Sequence, residues 1–239
     1  LSKHIAGSML DKISHRGPDG KGIVKTDEYS IFGHVRLSIL DIDHGSQPMI
    51  SNCKRYILVF NGEIYNFVEL RQTLIKKGHT FRGYGDTEVL LHLLIEEGEE
   101  CLKKLNGMFS FVFYDKETCK WIAARDHFGI KPLYWANLES GGIAFASEIK
   151  SLLSHPSIKK ELCSTGLHDY LTFQLILDKN TLFEGIYKIQ PGHFATGFSN
   201  KSNQPEIKEW WRLNFDIDES HNCDWFSDKL MSYFSNSIQ

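Results

Sequence analysis

YILVFNGEIYN (Tyr56–Asn66) decides how the rest of the chain is read. Its first five residues, Tyr56 to Phe60, are apolar, and four of them are β-branched or aromatic, which predicts a buried strand. The pattern predicts that the strand stops at Asn61-Gly62-Glu63. Glycine lets the main chain approach a ligand closely, so a backbone N–H and the Asn61 side-chain amide would meet at one point. Glu63 adds a fixed negative charge beside them. Donors for an oxyanion next to a carboxylate for an ammonium suit an amino-acid substrate. The same letters also fit a tight hairpin, because Asn-Gly between apolar runs is the strongest short hairpin signal. Taken alone, the segment favours the hairpin; the rest of the chain reverses that.

The chain has 239 residues, 41% hydrophobic and 13% aromatic, enough for a sizeable core and for one large domain or one domain and the start of another. A net charge of −3 and a pI near 6.4 argue against a nucleic-acid or membrane-surface partner held mainly by charge. The five cysteines, Cys53, Cys101, Cys119, Cys163 and Cys223, form no CxxC pair and suggest neither a zinc site nor a disulfide framework. A reducing, cytoplasmic compartment is the expectation. The longest apolar run, Val89–Ile95, is broken by His92, so no membrane span is expected. No HExxH or clustered histidines appear, and no metal site is expected.

Ser2 to Ser14 places Ile5, Met9, Leu10 and Ile13 at helical spacing. HRGPDGKG (15–22) follows. It does not match the phosphate-loop pattern GxxxxGK[ST], and Pro18, Asp19 and Gly20 make it a turn. Tyr29 to Ile39 alternates as one or two strands, with Arg36 in an apolar-leaning run. An arginine so placed calls for a carboxylate partner, from the protein or from a ligand. Cys53 falls in an exposed turn. Asn66-Phe67-Val68-Glu69 fits a capping box, opening a helix to Lys77 with Gly78 as its stop. Gly85-Asp86-Thr87-Glu88 opens a second helix, where Asp86 reads first as an N-cap and second as a carboxylate facing a cleft.

Met108–Tyr114 and Trp121–Arg125 read as strands joined by a turn, and Arg125-Asp126 as a structural ion pair. Further strands are expected at 142–146, 187–189 and 193–196, and helices at 147–153 and 168–173. Ser199–Gln204 reads as a linker. Beyond it come Trp210-Trp211 and an amphipathic helix over Cys223–Ile238, with Trp225, Phe226, Leu230 and Phe234 on its apolar side. Short antiparallel strands with helices between groups of them predict two packed sheets covered by helices.

HRGPDG (15–20), GHVRLSILD (33–41), QPM (47–49), VFNGEIYN (59–66), GDTEVLL (85–91), LNGMFSFVFYD (105–115), ARDHFGIKPLY (124–134), FASEIKSLL (145–153) and PGH (191–193) together resemble the glutaminase domain of glutamine-hydrolysing asparagine synthetases. This is the class II glutamine amidotransferase family, with the N-terminal-nucleophile (Ntn) hydrolase fold. The resemblance covers nearly the whole chain. It implies an α+β fold, a four-layer α/β/β/α sandwich of two antiparallel sheets, and hydrolysis of glutamine to glutamate and ammonia. In that family an N-terminal cysteine attacks the side-chain amide with its own α-amine as base. The resemblance makes Asn61 and Gly62 the oxyanion hole, Arg36 the partner of the substrate α-carboxylate, and Glu63 and Asp86 the holders of the α-ammonium. Main-chain groups near Leu37 and Ile39 complete the pocket.

Two departures from the family pattern shape the expectations. The chain opens in the helix before HRGPDG, without the family's first strand and its cysteine, and none of the five cysteines has the motif to replace it. The ATP-dependent synthetase domain is also absent. The expected division is therefore 1–200 as glutaminase domain and 201–239 as linker and first helix toward that domain, in a fragment of a longer enzyme. No cofactor is expected here; ATP and magnesium belong to the synthetase domain, which receives the ammonia and amidates aspartate. A homodimer is allowed. The alternatives are an amidotransferase for another acid, a nucleophile-less glutamine-binding or scaffold module, and a structural ion-pair network of Arg36, Glu63 and Asp86.

Overall fold

The computed structural model describes residues 2–139, 141–201 and 204–238. In chain order the elements are α1 (Lys3–Asp11), β1 (Gly20–Lys25), β2 (Ile31–Arg36), β3 (Met49–Ile50), β4 (Tyr56–Ile64), α2 (Phe67–Lys76), α3 (Asp86–Glu97), β5 (Gly107–Asp115), β6 (Lys120–Arg125), β7 (Tyr134–Asn137), β8 (Ile143–Ala146), α4 (Ile149–Leu152), α5 (Ser164–Phe173), β9 (Ile186–Lys188), β10 (His193–Phe198), β11 (Glu206–Glu209) and α6 (Cys223–Ile238).

Neither the strand stop at Asn61 nor the Asn-Gly hairpin occurs. β4 runs through Asn61-Gly62-Glu63 to Ile64 and pairs antiparallel with β5, Tyr56 opposite Asp115 and Ile64 opposite Gly107. The glycine serves this pairing: a Cβ at Gly62 would overlap the Met108 carbonyl on β5. β4 and β5 lie within a six-stranded antiparallel sheet of order β11-β10-β6-β5-β4-β3.

The two faces of that sheet follow the period of two along each strand. Leu58, Phe60 and Ile64 of β4, with Phe109, Phe111 and Phe113 of β5, bury against Leu74 of α2 and Val89, Leu90 and Leu93 of α3. Phe109 and Phe111 are almost wholly buried, and truncating either to alanine is expected to cost about 3–5 kcal/mol. On the opposite face Ile57, Val112, Tyr114 and Trp121 meet Phe32 of β2 and Trp135, Phe145 and Tyr187 of β7, β8 and β9. This second β layer comes in two pieces, β1-β2 and β8-β7-β9. α1 packs on β1, β2 and α4, and α4 on β7 and β8. The result is the α/β/β/α sandwich.

Several local expectations change. Asn66 makes no capping bond to α2; its side chain instead donates to the Lys104 carbonyl and accepts from the Asn106 amide, tying the start of the helix to the approach to β5. Gly85, not Asp86, is the N-cap of α3. Arg125 and Asp126 do not pair. Arg125 donates to the carbonyls of Gly129, Lys131 and Ile189. Ser202 and Asn203 of the expected linker lie outside the described residues. β11 follows them and pairs with β10, so the division expected at residue 200 falls between two paired strands. α6 matches its expected bounds but buries none of its residues. Among the described residues no helix is long and apolar enough to cross a membrane.

Candidate active site

A cleft of about 1010 Å³ opens between β2 and β8, and Val59, Val112 and Trp121 of the large sheet form its floor. All seven residues singled out by the sequence line it: Arg36, Leu37, Ile39, Asn61, Gly62, Glu63 and Asp86. β4 brings three of them there. β3 covers only Ile57 and Leu58 of β4, so beyond Leu58 the edge of the strand faces the cleft. Even-numbered residues turn their main-chain groups to that edge: Tyr56 N–H donates to Ser51 Oγ, Phe60 N–H to Gln47 Oε1, and Ile64 N–H to Asp86 Oδ2. By the same period Gly62 N–H points from that edge toward the cleft.

Asn61 has odd parity, so its side chain projects from the inner face with Ile57 and Val59. Its Nδ2 is buried and has no hydrogen-bond partner. A buried amide without a partner is costly, about 1–3 kcal/mol. Here it stands one residue from the Gly62 N–H, and both residues line the cleft.

Glu63 and Asp86 form the acidic side. Burial pushes the Glu63 carboxyl up from its ordinary value; the Asp86 charge pushes it the same way, and Lys131 opposes. Burial likewise raises Asp86, against the stabilising Ile64 and Thr87 amides. Two neighbouring carboxylates that resist ionisation are eased by an incoming cation.

Arg36 departs from expectation. Its guanidinium meets no carboxylate; it donates to the carbonyls of Leu40 (3.1 Å), Asp41 (2.7 Å) and Ile42 (2.9 Å). That uses three of its five N–H groups and leaves its charge uncompensated. The arginine–carboxylate pairs among the described residues are Arg16–Glu148, Arg55–Asp115, Arg55–Glu117, Arg82–Glu88 and Arg212–Glu209. None includes Arg36, Glu63 or Asp86, so the ion-pair network considered for these three residues does not form. Leu37 and Ile39 lie in the loop after β2 with exposed side chains.

Three further residues escaped the sequence reading. Gln47 clips the β4 edge, accepting from Phe60 N–H at 2.7 Å and donating to Phe60 O at 3.0 Å. His34 Nε2 lies 3.2 Å from the same oxygen. Burial pulls the His34 pKa down to about 4, so the ring is neutral at pH 7 and donates through Nε2. Asp41 joins the Arg36 loop to the start of α3. The signal available for all three was a polar side chain inside an otherwise recognisable motif, with nothing local to tell its partner.

None of the five thiols lines the cleft. Cys101 is buried in the helix-side core, its pKa pushed up to about 12 by burial.

Residues 2–211 match the family model described as glutamine amidotransferase domain. This chain belongs to that family. It is 37% identical over 242 residues to asparagine synthetase [glutamine-hydrolyzing] 3 of Bacillus subtilis (strain 168), covering 99% of this chain and 38% of that protein. It is 42% identical over 213 residues to asparagine synthetase [glutamine-hydrolyzing] 1 of the same organism, covering 89% and 33%. The chain therefore spans about a third of the length of these relatives. Among solved structures, the glutamine phosphoribosylpyrophosphate amidotransferase of B. subtilis, complexed with ADP and GMP, aligns with a TM-score of 0.63 at 20% identity, over 88% of this chain and 47% of that one. At that identity the likeness shows a shared fold.

Proposed function

We propose that this domain hydrolyses the side-chain amide of L-glutamine and that the ammonia serves an ATP-dependent amidation of aspartate, in a longer cytoplasmic protein. The observation that carries the proposal is one cleft lined by a cation and two carboxylates without ionic partners among the described residues and by a buried amide donor without a hydrogen-bond partner. Glutamine is a zwitterion with a neutral amide at its far end. Arg36 supplies a cation for the α-carboxylate, and Glu63 with Asp86 supplies anions for the α-ammonium. Asn61 Nδ2 and Gly62 N–H supply donors for the oxygen of the tetrahedral intermediate. The similarity to glutamine-hydrolysing asparagine synthetases supports the same substrate. ATP and magnesium belong to the amidation half; this domain needs neither.

On this reading the nucleophile would be the N-terminal cysteine of the family pattern, its thiol proton taken by its own α-amine as base, on an extended strand that would enter the space between β2 and β8. Phe32, Leu133, Ile143 and Phe145 line that space and suit the apolar side chains of a strand. The sulfur attacks the amide carbon and the oxygen takes the charge. Collapse breaks the C–N bond, and the nitrogen leaves as ammonia after taking a proton from the base. Water then cleaves the thioester to glutamate and restores the thiol. The test is Asn61→Ala in the full-length protein. Glutamine-dependent turnover is expected to fall about 10²–10³-fold, with ammonia-dependent turnover spared. Equal loss of both would contradict the role of Asn61. A full-length protein that binds glutamine and never releases ammonia would leave only a binding module.

A further inference from the structure

Arg36 and Asp86 both line the cleft, one at the end of β2 and the other at the start of α3. They are 50 residues apart in sequence, and neither touches the other. One residue, Asp41, bonds on both sides, through its carbonyl on one and its carboxylate on the other. The Asp41 carbonyl accepts from Arg36 Nη2 at 2.7 Å. The Asp41 carboxylate accepts from Tyr84 N–H at 2.6 Å and from Gly85 N–H at 3.1 Å, both through Oδ2, and these amides lead directly into Asp86. Oδ1 accepts from the His44 amide at 3.2 Å and lies 3.3 Å from His44 Nδ1.

The fit is close on both sides. A Cβ at Gly83 would overlap Asp41 Oδ2, and one at Gly45 would crowd Arg36 Nη2 and the Asp41 carbonyl. Asp41 itself adopts a left-handed backbone, φ 47°, a conformation Asp tolerates better than most side chains. The carboxyl is only 6% exposed. Burial alone would raise its pKa, but the amides of Tyr84, Gly85 and His44 hold it below the ordinary value, so it is ionised at neutral pH.

We propose that Asp41 is a positioning residue that sets the spacing between Arg36 and Asp86, and so makes the site selective for an α-amino acid head with both its carboxylate and its ammonium. This rests on the glutamine reading above. A ligand that engages both ends must match a fixed separation; without Asp41 the loop after β2 and the start of α3 are no longer tied, and each end binds independently. A rigid pair of subsites binds more tightly than the same subsites on mobile loops, because the ordering is already done.

The experiment compares wild type with Asp41→Ala and Asp41→Asn in the full-length protein, measuring kcat and KM for L-glutamine and for its analogue lacking the α-amino group. Asp41→Ala is expected to raise KM for L-glutamine about tenfold or more, the scale of a lost hydrogen bond to a charged group, and to raise KM more than it lowers kcat. The preference for L-glutamine over the desamino analogue should fall by a similar factor. Asp41→Asn keeps one acceptor for the Tyr84 and Gly85 amides and should recover part of both losses; it also carries the test if the alanine variant does not fold. A purely structural role would reduce the active fraction, seen as lower kcat at constant KM and constant preference, and would overturn the inference while leaving the glutamine reading intact. A wild type that neither binds nor hydrolyses glutamine would overturn both.

Discussion

Two regions of the molecule each hold an arginine and a buried aspartate, one at the end of β6 and one at the cleft, and they differ in one respect. At the end of β6, Asp126 accepts four backbone amides, from Phe109, Phe128, Ile130 and Lys131, at 2.9–3.1 Å, while Arg125 holds three carbonyls of the same region. Among the described residues no buried side-chain polar atom of that corner lacks a partner. At the cleft, Arg36 also holds three carbonyls, yet Asn61 Nδ2 has no partner, and Glu63 and Asp86 meet no cation at ion-pair distance. A polar cluster that closes on itself is scaffold. One that leaves a cation, donors and carboxylates facing the same space is built for something outside the chain.

The largest effect expected from this contrast is on the scaffold side. Asp126→Ala would leave four backbone amides, one buried and three partly buried, without their acceptor and is expected to cost about 3–5 kcal/mol, read as a lower denaturant midpoint at unchanged slope. A loss under about 1 kcal/mol would mean that the corner is no more closed than the cleft.

Acid should destabilise the fold next. His34 titrates near 4 when folded and 6.5 when unfolded, so the unfolded state binds the extra proton between those values. The contribution of this neutral ring is complete above pH 6.5 and is lost as pH falls toward 4, on the order of 3 kcal/mol for a shift of this size. His92, His127 and His155 are shifted the same way by burial and steepen the slope. His34→Phe should flatten unfolding free energy against pH in that window; an unchanged slope would remove His34 as its source.

On the cleft side the signs reverse. Glu63→Gln removes a charge that burial and Asp86 both disfavour, and should stabilise the fold by less than about 1 kcal/mol, since the group is partly solvated. It should also weaken glutamine binding. In the wild type, binding should decline as pH falls, beginning above 4.5, the ordinary glutamate value, because both carboxylates must be ionised to hold the ammonium. Lower stability in Glu63→Gln would mean that Glu63 has a structural partner.

The layers and the β5–β6 pair were legible in the sequence because burial imposes its period residue by residue: Phe109, Phe111 and Phe113 alternate with Val112 and Tyr114 whatever the rest of the chain does. The end of β4 was misread because Asn-Gly signals a turn locally, whereas Gly62 is set by the backbone of β5, reached only through the fold. Arg125-Asp126 was misread for a similar reason; adjacent side chains on a strand point to opposite faces. Arg36, Asn61, Gly62, Glu63 and Asp86 stood out by their own chemistry and received roles from the family motifs, which alone supplied Leu37 and Ile39. Their supports, Gln47, His34 and Asp41, bond across 13, 26 and 43 residues, and no local pattern encodes such partners.

The most direct test of the claim that these unpaired groups form an amino-acid site is titration calorimetry of L-glutamate, the hydrolysis product, into the folded full-length protein at pH 7.5. Saturable one-to-one binding is expected in the wild type, weakened at least tenfold by Arg36→Ala and by Asp86→Asn, because each removes a charge facing one end of the zwitterion. Heats of dilution alone, from protein whose cooperative unfolding shows it to be folded, would contradict it.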